Sequence, residues 1–205
     1  ECLKIWEPIK AYHLTKYLRA INNSVKDNQS ANSLLNLGFA DLSWKDNKPF
    51  SESYGDFYSS NKGAYAEAKH VFIEGNRLQE RFHNLDTETT FSIVEIGFGA
   101  GINFLTTCQE WLKEAKNNQF LDYIAFDKTL FNVKDFKKTI KQCPELKELS
   151  RVYAENYPAN ISGTQRIYFE DLRISLTLIL GDIKSSLSYL TNASDIDVWY
   201  LDGFA

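Results

Sequence analysis

The chain has no methionine, not even an initiator, among its 205 residues, and the expectation is that at least its beginning has been trimmed or replaced. Cysteine is also scarce. Cys2, Cys108 and Cys143 are odd in number and far apart, which gives neither a disulfide framework nor a Cys-x-x-Cys zinc knuckle and favours a reducing compartment. No apolar run approaches the ~18–20 residues of a membrane span, and Glu1-Cys2-Leu3-Lys4 lacks the charged-then-apolar plan of a signal peptide. With no low-complexity segment or internal repeat, collagen-like and disordered classes are excluded. Charge is nearly balanced, 23 Lys+Arg against 27 Asp+Glu for a net −4. With 43% apolar residues, a chain of this length can bury roughly 70% of its unfolded surface in a single core. The expectation is a soluble, cytoplasmic protein.

Chemical motifs are missing too. There is no Gly-x-Ser-x-Gly elbow and no Walker loop, so hydrolase and P-loop readings lack their signatures. His13, His70 and His83 have neither mutual spacing nor cysteine neighbours that suggest ligands, and no metal is expected.

Residues 1–37 place Ile5, Ile9, Leu14, Leu18 and Ile21 at loosely helical spacing before a polar connector. Residues 40–58 read as a hairpin turning at Asp46-Asn47-Lys48-Pro49, a possible flap. Residues 64–82 suit helix, with a break or kink at Gly75-Asn76. From Phe91 the pattern changes. Strands are predicted at 91–96, 121–127, two segments within 165–180 about Glu170-Asp171, and 196–201. Helices are predicted after Gly101 with Ile102, Leu105, Cys108 and Leu112 on one face, at 133–142 with Val133, Phe136 and Ile140 inward, at 145–156, and near 183–190. Such alternation implies a parallel α/β sheet covered on both faces.

The sharpest local feature is Glu95-Ile96-Gly97-Phe98-Gly99-Ala100-Gly101, which leaves a strand and opens a helix. The dinucleotide fingerprint needs a small residue where Ile102 stands, so the spacing argues against NAD or FAD and suits a ligand without pyrophosphate, such as S-adenosylmethionine. The bland alternative is a tight turn and nothing more. Asp127 ends the second strand and could accept ribose hydroxyls or be a solvated carboxylate. Asp182, after Gly181, could accept from an adenine amino group or cap the next helix. Asp202 ends the last strand, the fourth when the two segments within 165–180 are counted as one, where it could hold or deprotonate an amine, or cap a turn. Residues 128–151 carry seven Lys/Arg and three Asp/Glu. The stripe Lys134, Lys137, Lys138 and Lys141 could meet phosphates or be a solvated helix face.

Residues 40–205 resemble the tRNA 5-methylaminomethyl-2-thiouridine methyltransferases, the methyltransferase half of the bifunctional MnmC enzymes and their stand-alone relatives. The resemblance rests on Asp56-Phe57-Tyr58-Ser59, His70 to Leu78 with Arg81-Phe82, Glu95 to Leu105, Phe126-Asp127-Lys128, Pro144-Glu145-Leu146, Leu180-Gly181-Asp182 and Trp199 to Ala205. It implies a class I S-adenosylmethionine-dependent, Rossmann-like α/β fold and methylation of the 5-aminomethyl group on the wobble uridine of tRNA. By the same resemblance Gly97, Phe98, Gly99, Gly101, Asn103 and Phe104 cradle the methionine part of the cofactor. Asp127, with Lys128 beside it, serves the ribose; Gly181 and Asp182 serve the adenine; Tyr58 and Glu67 come from the N-terminal flap; Asp202 sits at the methyl-transfer centre. Asp127 is shorter than the glutamate usual in the family, so its reach to the ribose must be made up by water or a backbone shift.

The expected organisation is an N-terminal extension (1–37), a flap (38–89) and a cofactor-binding core (90–205). Because a class I sheet has seven strands, that core is expected to be truncated after the fourth. The implied partners are tRNA and an FAD-dependent oxidase, either as a domain or as a separate protein, with no membrane and no metal. Two rival readings stand: a methyltransferase acting on a small amine or another RNA, and a non-catalytic methyltransferase-like binding module.

Overall fold

The computed structural model describes residues 37–59, 63–187, 190 and 195–203; the helix and connector expected over 1–36 lie outside them. In the N-terminal segment, β1 (Leu42–Lys45) pairs antiparallel with β2 (Lys48–Ser51), and β3 (Asp56–Phe57) adds to the far side of β2. The turn is shorter than its sequence suggests. Only Asp46 and Asn47 form it, both at positive φ (50° and 61°), the backbone that a two-residue hairpin of type I′ requires. Lys48 and Pro49 already belong to β2.

α1 (Ala64–Ala68) runs into a π-helical stretch at Lys69–Glu74, and after an interruption α2 (Leu78–His83) resumes. The interruption falls where Gly75-Asn76 led one to expect it. A side chain on Gly75 would sit 2.3 Å from the Val71 carbonyl oxygen, the Asn76 side chain donates back to the Phe72 carbonyl, and Arg77 is left-handed.

The central sheet contains β4 (Thr90–Ile96), β5 (Phe120–Asp127), β6 (Gly163–Phe169), β7 (Ile174–Leu180) and β8 (Val198–Leu201) in the order β6-β7-β5-β4-β8. Four strands are parallel, as the alternating pattern implies, but β6 is antiparallel to β7. The connection there is one short turn, Glu170–Leu172 followed by left-handed Arg173, and a link that short can only return the chain as a hairpin.

α3 (Ile102–Glu114) joins β4 to β5, while α4 (Val133–Ile140), a 3-10 turn at Pro144–Leu146 and α5 (Lys147–Glu155) precede β6. α6 spans only Ile183–Ser186, shorter than the predicted 183–190, and β8 begins two residues later than predicted. α3 packs against α1, α2 and α5 as well as the sheet, so it is buried on most sides, and its last core residue is Trp111 rather than the predicted Leu112, which is exposed. On α4, Phe136 and Thr139 are buried while Val133, predicted inward, is exposed.

One main core joins these layers. Phe82 of α2 is fully buried, edge-on to Phe91 of β4 at 5.0 Å and to Trp111 of α3 at 5.1 Å. The second half of the 38–89 segment is thus core and not a separate flap. From β4 the parallel strands extend through β5 to β7, and β8 then lies on the other side of β4. Winding reverses at β4, and the crevice beyond the carboxyl ends of β4 and β8 is where such sheets bind ligands. Phe82→Ala is expected to lower unfolding free energy by about 3–5 kcal/mol, read as a lower urea midpoint at constant slope.

Candidate active site

Two parallel strands end together at this crevice. The Gly97 amide continues the ladder to the Phe126 carbonyl at 2.9 Å, and the Asp202 amide donates to the Ile96 carbonyl at 3.0 Å. Gly97 has φ +93°, and a Cβ there would lie 2.7 Å from Gly203 Cα and 2.8 Å from the Asp202 carbonyl oxygen. The glycine therefore lets the two strand ends touch backbone to backbone. Gly101, also left-handed, starts α3, and a Cβ on it would strike the Phe98 ring at 2.8 Å.

Asp127, at the end of β5, reaches across to this turn. Its Oδ2 accepts from the Gly99 amide at 2.7 Å, and its Oδ1 accepts from the amides of Lys128 (2.6 Å) and Thr129 (3.3 Å). Burial nevertheless pushes the carboxyl above its ordinary range, outweighing those N–H groups. A carboxylate has about four lone-pair sites, so these three amides, with the Phe98 amide also acting on the group, leave room for at most about one ligand hydroxyl, where the sequence suggested two. The short side chain is spent largely on closing the glycine turn.

Asp202 is held from the other side. Asn103 Nδ2 donates to Asp202 Oδ2 at 2.7 Å and to Glu95 Oε1 at 2.8 Å. Asp202 as a carboxylate only accepts, so the amide must turn its NH2 group towards it, and that fixes its orientation. Glu95 is fully buried in β4 and takes a further bond from the Tyr123 hydroxyl at 2.9 Å. Burial drives Glu95 well above the usual carboxylate range; Asp202 and Asp127 push the same way, against the bonds from Asn103 and Tyr123. Asp202 is raised by burial and by Glu67, with the Asn103 bond opposing. Its Oδ1 is left for the crevice.

These groups line a cavity of about 680 Å³ formed by the glycine turn, Asp127, Thr139 of α4, the β8 end and residues between 49 and 59 and between 64 and 67 of the N-terminal segment. Of the residues predicted for the site, Tyr58, Glu67, Gly97, Phe98, Gly99, Asn103, Asp127 and Asp202 face it. Phe104 does not. It is buried on the opposite side of α3, with rings of Tyr123, Tyr153 and Phe169 around it. Gly101 shapes the turn from behind, and the Lys128 side chain is outside the lining. Gly181 continues β7 beside Asp127, its amide donating to the Asp127 carbonyl at 2.9 Å, and Asp182 Oδ1 caps α6 through the Lys184 amide at 2.9 Å. Asp56, which lines the cavity, and the buried partners Glu95 and Tyr123 are not among the predicted site residues. The signal for Glu95 was present: a carboxylate inside an apolar strand needs partners.

Asp56, Glu67, Asp127 and Asp202 line the cavity, and no Lys, Arg or His does among the described residues. Such a pocket repels a pyrophosphate and favours a cationic ligand. Among the described residues no cluster of His, Cys, Asp and Glu could hold a metal ion, and no helix is long and apolar enough to cross a membrane.

Residues 144–205 match a protein family described as S-adenosyl-L-methionine-dependent methyltransferase. The chain is 39% identical over 169 residues to the tRNA 5-methylaminomethyl-2-thiouridine biosynthesis bifunctional protein MnmC of Marinobacter nauticus, covering 81% of this chain and 26% of that protein. To the same-named protein of Legionella pneumophila it is 37% identical over 179 residues, covering 81% of this chain and 27% of the relative. The chain thus spans about a quarter of the length of the curated relatives it matches. A crystal structure of MnmC2 from Aquifex aeolicus superimposes with a TM-score of 0.58 at 20% identity, over 81% of this chain and 50% of that one, a likeness of fold.

Gly97→Ala is expected to cost at least about 1–3 kcal/mol from backbone strain alone, measured by urea unfolding. Glu95 binds its proton more tightly folded than unfolded, so its contribution to stability is complete below the ordinary carboxylate pKa and is lost as pH rises through the elevated folded value. Glu95→Gln, which keeps a bond to Asn103 without a charge, is therefore expected to gain on the parent as pH is raised from 5 to 8 in parallel urea titrations. An unchanged difference across that range would show that Glu95 is not held protonated.

Proposed function

The chain belongs to the S-adenosyl-L-methionine-dependent methyltransferase family of the MnmC proteins, and from that premise we propose that it methylates the nitrogen of a 5-aminomethyl group on the wobble uridine of tRNA. The observation that carries this reading is the acidic cavity, lined by no Lys, Arg or His among the described residues, with Asp202 locked at its wall by Asn103. The methyl donor carries a sulfonium and an ammonium, the substrate amine is cationic at neutral pH, and four carboxylates suit all three centres.

The residues present fit the donor. Its methionine portion would lie against the Gly97–Gly101 turn, with Phe98 and Asn103 at hand. Asp127 offers its remaining acceptor site to the ribose, Asp182 stands at the next strand end towards the adenine, and Tyr58 and Glu67 close the N-terminal side. Bound there, the donor supplies an electrophilic methyl carbon on a positively charged sulfur. The chain's own work is positioning and proton handling. Asp202 Oδ1 holds the aminomethyl nitrogen and accepts the proton that must leave it before its lone pair can attack. Asn103 keeps Oδ2 occupied and the carboxyl plane fixed. Tyr58, packed edge-on to Phe131 at 4.7 Å, helps to keep water away.

The aminomethyl substrate would be supplied by an FAD-dependent oxidase, carried on the same polypeptide or separately, and a tRNA substrate places the reaction in the cytoplasm.

Calorimetry with S-adenosylmethionine and assays with labelled donor and undermodified tRNA test the proposal. Asp202→Asn is expected to lower turnover by roughly 10²–10⁴-fold with donor affinity little changed. Because burial raises the Asp202 pKa, parental kcat/KM is expected to fall on acidification at a higher pH than an ordinary aspartate would set, and the residual rate of Asp202→Asn should lack that limb. Methyl incorporation that survives removal of the aminomethyl group would overturn the assigned substrate.

A further inference from the structure

An acidic cavity that suits an amine is a poor place for the phosphates on either side of the target nucleotide, so they need a different surface close to its mouth. α4 has one. Phe136 faces the core and Thr139 lines the cavity, while Lys134, Lys137, Lys138 and Lys141 are all exposed. At 100° per residue these four fall within about a third of the helix circumference, opposite Phe136.

The surface continues onto the hairpin. Trp44 of β1 donates its indole N–H to Asp135 Oδ1 at 2.9 Å, and the Lys138 ammonium sits 3.6 Å from the centre of its ring system. Gln142 donates to the Asn47 carbonyl at the hairpin tip at 2.5 Å. Asp135 is the one carboxylate on α4, and Trp44 and Asn132 both donate to it. Across the hairpin, half-exposed Phe57 and Tyr54 line the cavity. Of the carboxylates on this segment, Asp56 faces the cavity and Glu52 is tied to Lys45 and Ser43, while Asp41, just before β1, and Asp46, in the turn, are exposed. Cation, aromatic ring and cavity thus succeed one another.

We propose that the outer face of α4, together with the β1–β2 hairpin, docks the RNA strand flanking the target nucleotide, with backbone phosphates on Lys134, Lys137, Lys138 and Lys141 and the extruded base against Phe57 and Tyr54. The inference rests on the tRNA-methylation reading and adds to it the site of docking. Phosphate contacts position without reading sequence, and exposed rings beside a pocket suit a base taken out of its stack.

The test is a triple reversal, K134E/K137E/K141E, which leaves the Trp44–Lys138 contact and the cavity lining untouched. Binding of a tRNA transcript, followed by fluorescence anisotropy across a salt series, is expected to weaken at least tenfold at moderate salt. The slope of log affinity against log salt should become shallower by roughly 2–3, about 0.7–0.9 per lost contact. Calorimetric affinity for S-adenosylmethionine and turnover of the isolated 5-aminomethyl nucleoside should be unchanged. Unchanged RNA affinity and slope, or an equal loss of donor binding, would overturn the docking surface. Because RNA binding is read without catalysis, a parent that binds RNA but transfers no methyl group would overturn the functional reading alone.

Discussion

Everything at the candidate site depends on one close approach, the backbone of Gly97 against that of Asp202 and Gly203. β4 and β8 are adjacent parallel strands on opposite legs of the winding, and their ends must meet for a single crevice to be framed by both. A methyl group at Gly97 would occupy space already filled by the partner's backbone, and rigid peptide atoms cannot give way as a flexible side chain can. Once that approach is made, the rest follows. The Asp202 amide completes the ladder on Ile96, and its carboxylate comes within reach of the second residue of α3, at the helix end whose dipole favours a negative charge.

The second constraint is the burial of charge. Glu95 occupies a strand position whose neighbours are apolar, and an unpartnered carboxylate there would be costly. Two donors reach it, from α3 and from β5, so one buried group connects three elements through hydrogen bonds with little freedom. Asn103 is the hinge of that arrangement. Its two N–H groups are divided between a carboxyl that water does not reach and one that borders the cavity, and a change at either is felt through the other. Thr107 adds a brace below, its hydroxyl 3.1 Å from that of Tyr200 on β8.

The strand ends were legible because their signals are local: glycines beside a strand, an aspartate at its carboxyl end, a break at Gly75-Asn76. The links between them were not, because Glu95, Asn103 and Asp202 are separated by up to 107 positions and only the sheet order brings them together. Phe104 shows how proximity in sequence misleads. It follows Asn103 directly, but one residue turns a helix by about 100°, and where Asn103 looks into the crevice Phe104 looks into the core. The antiparallel β6 escaped for a related reason. Alternation of strand and helix breaks down where two strands follow each other with only a short turn between, and that turn decides the direction.

The lysine stripe on α4 shows how context changes a weak signal. Taken alone, four lysines on an amphipathic helix describe any solvated face. What gives them direction is the rest of the same helix: one residue in the core, one at the cavity and one carboxylate bonded to a tryptophan of the hairpin. Two helical turns thus fix the distance between a cationic outer surface and an acidic inner one. A substrate with phosphates outside and an amine at its tip is complementary to both at once, whereas a free small amine would engage only the inner surface. The separation of opposite charges across a single short element is what would let a chain of negative net charge hold the polyanionic substrate proposed for it.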